Sequence, residues 1–326
     1  MTTRRVTLHD VAQAAGVSTT TASDALAGRG RIAADTREKV LATAQSLGYV
    51  VNSAARSLRS GHTGVIGLYM PDQVLGLDYY LQVLQGAADA AIASGYAITL
   101  IPQWPSPDRL AGLQLDALIV SDPSLTDPVM TAIRALRIPH ICLERDLSAD
   151  ANPAAVINID HRHGITALLA HLHDQGAERV TALVPPPTTA FGADIGRYLE
   201  TAEHPATVHE VGFATDPAQL VSAVTDALAG APDALIAVPD GAARLTLDVL
   251  ISRGLDVPGQ ILLAGYTDAA NHLFSRPDIT AVDLQPAETG RLAVATVLAV
   301  LDGGAPAQAP LVQTHLRVRA TTDRGR

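Results

Sequence analysis

From Gly64 onward, the sequence alternates between short apolar runs and stretches whose apolar residues recur with the period of a helix. The runs that read as buried strands are residues 65–70, 97–101, 117–120, 139–143, 156–159, 180–184, 234–238 and 261–264. The helical stretches are residues 80–93, 129–136, 165–173, 220–229 and 242–253. Almost continuously apolar strands that alternate with helices are typical of parallel sheets covered on both faces. Because there are more strands than one sheet of ordinary size contains, we expect two sheets in two lobes.

The length and composition leave room for a small domain beside this larger one. The chain has 326 residues, of which 48% are apolar, so a large hydrophobic core is available. No apolar run is long enough to cross a membrane, and the charged N-terminus is not followed by the apolar segment of an export signal. Cys142 is the single cysteine, which excludes a disulfide within the chain. We therefore expect a soluble, cytoplasmic protein without a membrane partner.

The charge of the chain is divided unevenly along its length. The whole chain has a formal net charge of −10, but residues 1–61 contain eight basic and four acidic side chains and the rest has a net charge of −14. A basic head can approach phosphate groups while an acidic body is repelled by them. The distribution indicates that the first 61 residues are the part that binds nucleic acid.

Three short helices are predicted in this basic head. Thr7 and Asp10 have the spacing of a capping box, and the apolar residues that follow share one helix face until Gly16 ends the helix. The other two predicted helices cover residues 19–27, capped by Ser18, and about 35–48. Two helices joined by a tight glycine turn and supported by a third form a helix-turn-helix arrangement.

The head also carries a sequence pattern that is specific to one family. Its segments are VTLHDVAQAAGVS (6–18), TAS (21–23), TREKV (36–40), LGY (47–49) and, with Asn52, ARSLR (55–59). This pattern resembles the headpiece of lactose-repressor-type (LacI/GalR) transcription regulators. Looser matches in the larger domain are IGL (66–68), GYTD (265–268) and LRVR (316–319), so the resemblance extends over nearly the whole chain.

The resemblance implies a fold and a function. The implied domains are a small all-α helix-turn-helix headpiece (1–51), a hinge helix or linker (52–62), and an effector-binding and dimerisation domain (63–326). The last would be an α/β two-lobed, periplasmic-binding-protein-like domain with parallel sheets. The implied function is sequence-specific regulation of transcription, most often repression, by a homodimer bound to double-stranded DNA with a near-palindromic operator sequence. A small-molecule effector between the lobes, such as a sugar or a nucleoside-like metabolite, would control that binding. No enzyme activity or cofactor is implied.

The second predicted helix would read the DNA. A helix that enters the major groove presents the side chains of its first turn to the base edges, and hydroxyl groups there can donate or accept hydrogen bonds. The residues expected at this interface are Thr7, Ser18, Thr19, Thr20, Thr21, Ser23, Asp24 and Arg31. In the alternative interpretation, Ser18 only caps the helix and the threonines are only exposed.

Asp24 departs from the family pattern, in which arginine is common at this position. A carboxylate cannot clamp guanine or phosphate, but it can accept a hydrogen bond from the amino group of cytosine. Alternatively, Asp24 lies outside the contact patch. The sequence leaves both interpretations open.

Residues 52–60 are the second DNA-reading element that the resemblance implies. The expected contact residues are Asn52, Ser53, Ala55, Arg56, Leu58 and Arg59. In the family this segment packs against its copy in the partner and inserts a leucine into the minor groove, where added contacts offset the cost of unstacking a base step. Leu58 would be that leucine. Otherwise the segment is a surface linker with an incidental leucine.

Ligands of parallel α/β lobes lie at the carboxyl ends of the strands. The resemblance places effector contacts in the loops there, including loops 72–80 and 188–194. The expected residues are Asp78, Tyr79, Tyr80, Glu144, Asp160, Asp240, Thr267 and Asp268. An aromatic face suits a sugar ring or a purine, although either tyrosine could belong to the helix core instead. Ala193 replaces a common arginine and Thr267 a common aspartate, which weakens the case for an ordinary sugar.

Two histidine pairs have the residue types of a metal site but not its spacing. His161 with His163, and His171 with His173, are two residues apart, and side chains at this spacing on a helix diverge. The sequence also contains no phosphate-binding loop and no nucleophile elbow. We therefore expect no metal, no cofactor and no catalytic residue.

Two other functions are compatible with parts of the sequence. The larger domain alone would suit a solute-binding protein of a transport system, but this leaves the basic head without a purpose. A constitutive DNA-binding protein whose cleft has lost its ligand would explain the altered effector positions.

Overall fold

The computed structural model describes residues 6–26, 32–49, 62–70, 77–101, 109–110, 112–213, 216–304 and 310–324. The chain divides into two compact units, Met1–Thr63 and Gly64–Arg326. Each unit has a hydrophobic core of its own.

The first unit is a bundle of short helices. In its described part these are α1 (Leu8–Ala15), α2 (Thr19–Leu26) and α3 (Ala34–Ser46). Seven buried side chains, five of them alanine, form the core: Val11, Ala12, Ala15, Ala22, Ala25, Val40 and Ala44. Gly16 ends α1 in the left-handed region at φ 69°, where a residue without Cβ has no steric penalty. The three predicted helices are confirmed, and α3 begins one residue before the expected position.

The second unit contains two six-stranded sheets. The first sheet consists of β1 (Val65–Tyr69), β2 (Ala97–Ile101), β3 (Ala117–Ser121), β4 (His140–Leu143), β5 (Ala155–Ile159) and β11 (Leu311–Val312). The second consists of β6 (Val180–Val184), β7 (Thr207–Glu210), β8 (Ala234–Ala237), β9 (Leu262–Gly265), β10 (Thr280–Asp283) and β12 (His315–Arg317). The helices are α4 (Asp78–Ala93), α5 (Val129–Ala135), α6 (His161–Asp174), α7 (Ala190–Thr201), α8 (Pro217–Leu228), α9 (Ala242–Ser252) and α10 (Pro286–Leu301), with 3-10 turns at Ala270–His272 and Ala320–Thr322.

The strand order shows how the chain passes between two lobes. The first sheet has the order β11-β5-β4-β3-β1-β2, and its neighbouring strands are parallel. The second has the order β12-β10-β9-β8-β6-β7 and is parallel except for the antiparallel pair of β10 and β12. We call these sheets with their packed helices the first and second lobes. The chain enters the second lobe after β5, returns after β10 and enters it again after β11.

Helices α4 and α10 of the first lobe cross with their backbones in close contact. A Cβ atom on Gly86 would lie 2.0 Å from the carbonyl oxygen of Ala287, and one on Gly290 would lie 2.1 Å from that of Val83. Real Cβ atoms do not approach backbone atoms this closely, so both positions require glycine. The crossing fixes the first turn of α4, which carries Tyr79 and Tyr80.

The predicted arrangement of two parallel sheets is confirmed, and the missed elements have physical reasons. Strand β7 (Thr207–Glu210) is mostly exposed, so it lacks the apolar run of a buried strand. The expected loop 188–194 is wrong beyond its second residue, because Thr189 caps α7 by accepting a hydrogen bond from the Gly192 backbone at 3.2 Å. In the described ranges, no helix combines the length and the apolarity that crossing a bilayer would require.

Candidate functional site

The N-terminal end of α2 in the first unit is a candidate nucleic-acid interface. The Ser18 hydroxyl accepts a hydrogen bond from the Thr21 backbone N–H at 3.0 Å, so Ser18 caps the helix, as the alternative interpretation assumed. Ser18, Thr19 and Thr20 are exposed, whereas Thr21, Ser23 and Asp24 are half-buried. The exposed hydroxyls of the first turn are therefore accessible to a second molecule.

Thr7 and Asp10 form the predicted capping box at the start of α1. The Thr7 backbone N–H donates to Asp10 Oδ2 at 2.8 Å, and the Asp10 N–H donates to Thr7 Oγ1 at 3.3 Å. This pair fixes the direction in which the chain enters the helix-turn-helix. The other expected DNA contacts, Arg31, Asn52, Ser53, Ala55, Arg56, Leu58 and Arg59, lie outside the described residues and stay predictions.

A small cavity lies where the carboxyl ends of strands from both lobes meet. Its volume is about 20 Å³, which holds about one water molecule. The lining consists of four aromatic side chains, three carboxylates, one hydroxyl and three apolar residues: Tyr79, Tyr80, Phe191, Phe213, Asp122, Glu144, Asp240, Thr267, Ile159, Pro239 and Leu284. The location is the one expected for a ligand of parallel α/β lobes.

Asp122 lies at the end of β3 and is nearly buried. Its Oδ2 accepts a hydrogen bond from the Tyr80 hydroxyl at 2.7 Å and a longer one from the Ser121 hydroxyl at 3.4 Å. The pKa of this carboxyl is raised from 3.8 to about 6, because burial of the charge and the nearby Glu144 carboxylate outweigh the lowering effect of the hydrogen bonds. Asp122 is therefore a carboxyl group that can change its protonation state near neutral pH.

Glu144 follows β4 and faces a buried histidine. Its Oε1 accepts a hydrogen bond from the Ile159 backbone at 3.0 Å and lies 3.2 Å from His161 Nε2. The contact between Glu144 Oε1 and His161 Nε2 has the distance of an ion pair but not the angles of a hydrogen bond. His161 Nε2 therefore has no hydrogen-bond partner among the described residues. The His161 Nδ1 atom is 3.2 Å from the Tyr266 hydroxyl. The site thus contains a buried histidine held beside a buried carboxylate.

Hydrogen bonds join the two lobes at the first turn of α4. The Tyr79 backbone N–H donates to Asp240 Oδ2 at 3.0 Å, and the Thr267 hydroxyl donates to the other oxygen of Asp240 at 3.1 Å. Next to them, the Ala270 backbone N–H donates to Asp78 at 2.8 Å. Because Tyr79 and Asp78 belong to the first lobe and their partners to the second, the bonds of these two residues join the lobes beside the cavity.

Five of the eight expected effector residues line the cavity: Tyr79, Tyr80, Glu144, Asp240 and Thr267. Both tyrosines contribute, and Tyr80 is also buried in the core. Asp122 could have been found, because it follows a predicted strand just as Glu144 does. Phe213 follows the unpredicted strand β7, and Leu284 follows the unpredicted β10, so no sequence pattern pointed to either residue.

The other three expected residues have structural partners elsewhere. Asp78 bonds to Ala270, and Asp160 caps α6 by accepting from the His163 N–H at 3.0 Å. Asp268 receives two bonds of 2.8 Å from the Arg319 guanidinium. Burial raises the pKa of Asp268, but contacts with His272 and Arg319 outweigh it and lower the pKa to about 2. The two oxygens of Asp268 are therefore already engaged by a cation.

The histidine pairs of the sequence do not converge. His171 Nε2 is 2.7 Å from the Thr322 hydroxyl, and the His173 ring stacks on His204 with centroids 3.8 Å apart. Across the described ranges, no group of three or more His, Cys, Asp or Glu side chains is arranged to hold a metal ion.

Two family models match the chain. The model described as bacterial regulatory proteins, lacI family, matches residues 7–52, and a periplasmic binding protein-like domain matches residues 169–322. The first match covers α1, α2 and α3, and the second covers most of the second lobe together with the return through α10.

Relatives of the chain include regulatory proteins. The HTH-type transcriptional regulator CelR of Thermobifida fusca is 27% identical over 97% of this chain and 98% of its own length. The maltose regulon regulatory protein MalI of Vibrio furnissii is 41% identical, over 33% of this chain and 78% of its own length.

Solved structures share the fold. A lac repressor dimer bound to operator and the anti-inducer ONPF has a TM-score of 0.77 at 23% identity, covering 98% of this chain and 99% of that chain. A complex of the regulator CelR with cellobiose has a TM-score of 0.71 at 23% identity, covering 97% and 100%.

Proposed function

This chain belongs to the lacI family of bacterial regulatory proteins, and we propose that it is a sequence-specific DNA-binding transcription regulator, acting as a repressor. Its affinity for the operator would be controlled by a small molecule bound between the two lobes. The domain roles follow from this proposal: residues 1–51 bind DNA, 52–62 form the hinge, and 63–326 bind the effector and form the homodimer.

One observation supports the proposal most strongly: a capped helix-turn-helix in a basic segment that presents an exposed polar first turn. The hydroxyls of Ser18, Thr19 and Thr20 lie at the N-terminal end of α2, where a recognition helix contacts bases. The backbone N–H groups and the helix dipole at the same end favour phosphate. The segment 1–61 has a net charge of +4, which supports attraction to the DNA backbone.

The cavity supports control by a ligand. Its lining comes from both lobes, and the hydrogen bonds from Tyr79 to Asp240 and from Ala270 to Asp78 must rearrange when the lobes move apart. A ligand that favours one lobe arrangement shifts the population toward it, and operator and effector then affect each other's affinity reciprocally. The structures of the lac repressor with operator and anti-inducer, and of CelR with cellobiose, are consistent with a DNA-binding head and a ligand-binding body.

We assign the protein no catalytic role and place it in the cytoplasm, where its DNA would be. The residues proposed to contact DNA are Thr7, Ser18, Thr19, Thr20, Thr21, Ser23, Asp24 and Arg31 in the head, and Asn52, Ser53, Ala55, Arg56, Leu58 and Arg59 in the hinge. Those proposed for the effector are the cavity residues Tyr79, Tyr80, Glu144, Asp240 and Thr267, joined by Asp122.

A second candidate is a regulator that binds DNA without an effector. The small volume of the cavity, about 20 Å³, favours this alternative, because the cavity itself holds only about one water molecule. The two candidates share the headpiece function and differ only in whether a ligand changes the affinity for DNA.

The experiment is selection of duplexes from a random library by the full chain, followed by titration of the selected duplex. We expect a near-palindromic sequence, and an affinity that falls steeply with salt because several phosphate contacts release counterions. The Thr19→Ala/Thr20→Ala double variant should bind the selected duplex at least about tenfold more weakly, since two base-edge contacts are lost. Gln45→Ala, at an exposed position of α3, is the matched control and should bind like the original chain. Recovery of random sequences would contradict the proposal.

A further inference from the structure

The charged groups lining the cavity are all of one sign. Asp122, Glu144 and Asp240 line it, and no lysine, arginine or histidine does so among the described residues. Of the segments of the second unit outside the described ranges, only 325–326 contains one of the three residue types, Arg326. Among the described residues, the lining itself is therefore acidic, and a histidine lies beside it, with His161 Nε2 3.2 Å from Glu144 Oε1.

Two oxygens of these carboxylates accept no hydrogen bond from the described residues. Both oxygens of Asp240 are satisfied, by Tyr79 and by Thr267. Asp122 Oδ1 and Glu144 Oε2, in contrast, accept no hydrogen bond from any of the residues that the structure describes. Asp122 is 8% exposed and Glu144 is 5% exposed, so both groups are more than nine-tenths buried. Both oxygens can therefore accept hydrogen bonds from a ligand that supplies donors.

Aromatic rings form the rest of the wall. The rings of Tyr79 and Tyr80 meet at 82° with centroids 5.0 Å apart, and those of Phe191 and Phe213 meet at 68° with centroids 5.9 Å apart. Both pairs are arranged edge to face, the usual geometry of packed aromatic rings. The face of an aromatic ring attracts a cation through its quadrupole.

We propose that the cavity binds an organic cation, whose ammonium group lies against Asp122 and Glu144 and whose carbon substituents contact the rings. This inference rests on the proposed function, because it names the chemical class of the effector for the same cleft. The cation enters when the hydrogen bonds between the lobes open, since the closed cavity admits only about one water molecule.

A neutral sugar fits these walls less well. Each sugar hydroxyl is both a donor and an acceptor, so it needs donors from the protein. Of the three hydroxyls in the lining, those of Tyr80 and Thr267 already donate to Asp122 and Asp240, which leaves that of Tyr79. A hard metal ion is also disfavoured, because it takes six or more oxygen ligands and the cavity offers two free ones. An ammonium group has donors only, which matches a wall whose open polar atoms are acceptors.

The ionisation of Asp122 supports the assignment. Its pKa of about 6 means that the carboxyl is partly protonated in mild acid, and a bound cation would favour the ionised form. The other ionisable groups facing it are Tyr79, Tyr80, Glu144 and His161. Affinity for a permanently charged cation should therefore increase between pH 5 and pH 7, by up to about tenfold if Asp122 alone titrates.

The test uses two matched pairs of compounds with the full chain at pH 7, measured by titration calorimetry. Choline is compared with its neutral carbon isostere 3,3-dimethylbutan-1-ol, and glucosamine with glucose. We expect the cation of at least one pair to bind at least about tenfold more tightly than its neutral partner. The proposal is overturned if no cation binds, or if the neutral partner binds as tightly in both pairs.

Variants localise the effect to the cavity. Asp122→Asn and Glu144→Gln keep the shape and should each weaken the cation at least about tenfold, because a buried charge is lost. Asp248→Asn is the control, since this carboxylate lies on the surface of α9 and pairs with Arg244. Equal weakening in the control and the cavity variants would place the cation elsewhere and overturn the proposal.

The same protein preparation separates this inference from the proposed function. If the ligand-free chain selects a near-palindromic duplex but binds neither cation, the cation proposal is overturned and the regulator stands. If it selects no duplex, the proposed function fails whatever the calorimetry shows.

Discussion

The headpiece and the cleft are built from contacts of very different range. In the headpiece, Thr7 bonds to Asp10 and Ser18 bonds to Thr21, each three residues apart. In the cleft, Tyr80 bonds to a residue 42 positions away, and Asp78 to one 192 positions away. Local polar chemistry therefore specifies the DNA-binding end of the protein, whereas the ligand-binding end exists only after two sheets have formed and met.

The largest expected effect tests the long-range contacts of the second unit. Gly290→Ala places a methyl group 2.1 Å from the Val83 carbonyl oxygen and 2.7 Å from the Ala87 nitrogen, so α4 and α10 must separate. We expect the free energy of unfolding of the second unit to fall by about 3 kcal/mol or more, because backbone atoms cannot move aside as a flexible side chain would. Urea unfolding followed by circular dichroism measures this loss.

Gly196→Ala is the control for that substitution. This glycine lies within α7, and a Cβ there would meet no atom within 4 Å. Replacing a helical glycine by alanine should leave stability unchanged or raise it by up to about 1 kcal/mol. A loss at Gly196 equal to that at Gly290 would show that the close crossing is not the cause.

The second effect concerns the buried carboxyl of the cleft. Because the pKa of Asp122 is raised from 3.8 to about 6, the folded state holds a proton that the unfolded state has lost between these values. The free energy of unfolding should therefore decrease as the pH rises from about 4 to about 6, by about 2 to 3 kcal/mol from this group. The decrease is complete above pH 6 and is absent below pH 4.

Asp122→Asn isolates this contribution. The variant keeps a side chain of similar shape beside Tyr80 and Ser121 but cannot ionise. The difference in stability between the original chain and the variant should change with pH over the same interval, as measured by urea titrations at pH 4, 5, 6 and 7. A difference that is constant from pH 4 to pH 7 would refute the raised pKa.

The smallest expected effect tests a local contact of the headpiece, the capping box of α1. Thr7→Ala removes the side chain that accepts the Asp10 N–H and leaves the capping box incomplete. We expect a loss of about 1 kcal/mol in the stability of the first unit, the ordinary cost of a lost N-cap. Hydrogen exchange of the α1 amides measures this loss of stability. Thr36→Ala is the control, because Thr36 lies within α3 and has no capping role. Unchanged exchange in α1 would mean that the box contributes nothing.

The same difference in range explains what could be predicted from the sequence. The helices of the headpiece and the strands with continuous apolar runs were found, because capping pairs and buried strands leave a local pattern. Strand β7 was missed because it is mostly exposed, and with it Phe213, three residues after the end of the strand. Asp268 was expected at the effector but pairs with Arg319, a neighbour 51 positions away in the sequence. Asp160 was expected there too and caps α6 through His163, three residues away, a local role that a capping pattern could have revealed.

The account is tested most directly by the affinity of the full chain for its selected duplex, compared with the same duplex in which one half-site is scrambled. Fluorescence anisotropy at one fixed salt concentration measures both. Two headpieces that read two half-sites predict a loss of about a thousandfold or more on scrambling, the usual gap between specific and non-specific binding. Equal affinity for the two duplexes would contradict the assignment of the headpiece as a sequence-specific DNA reader.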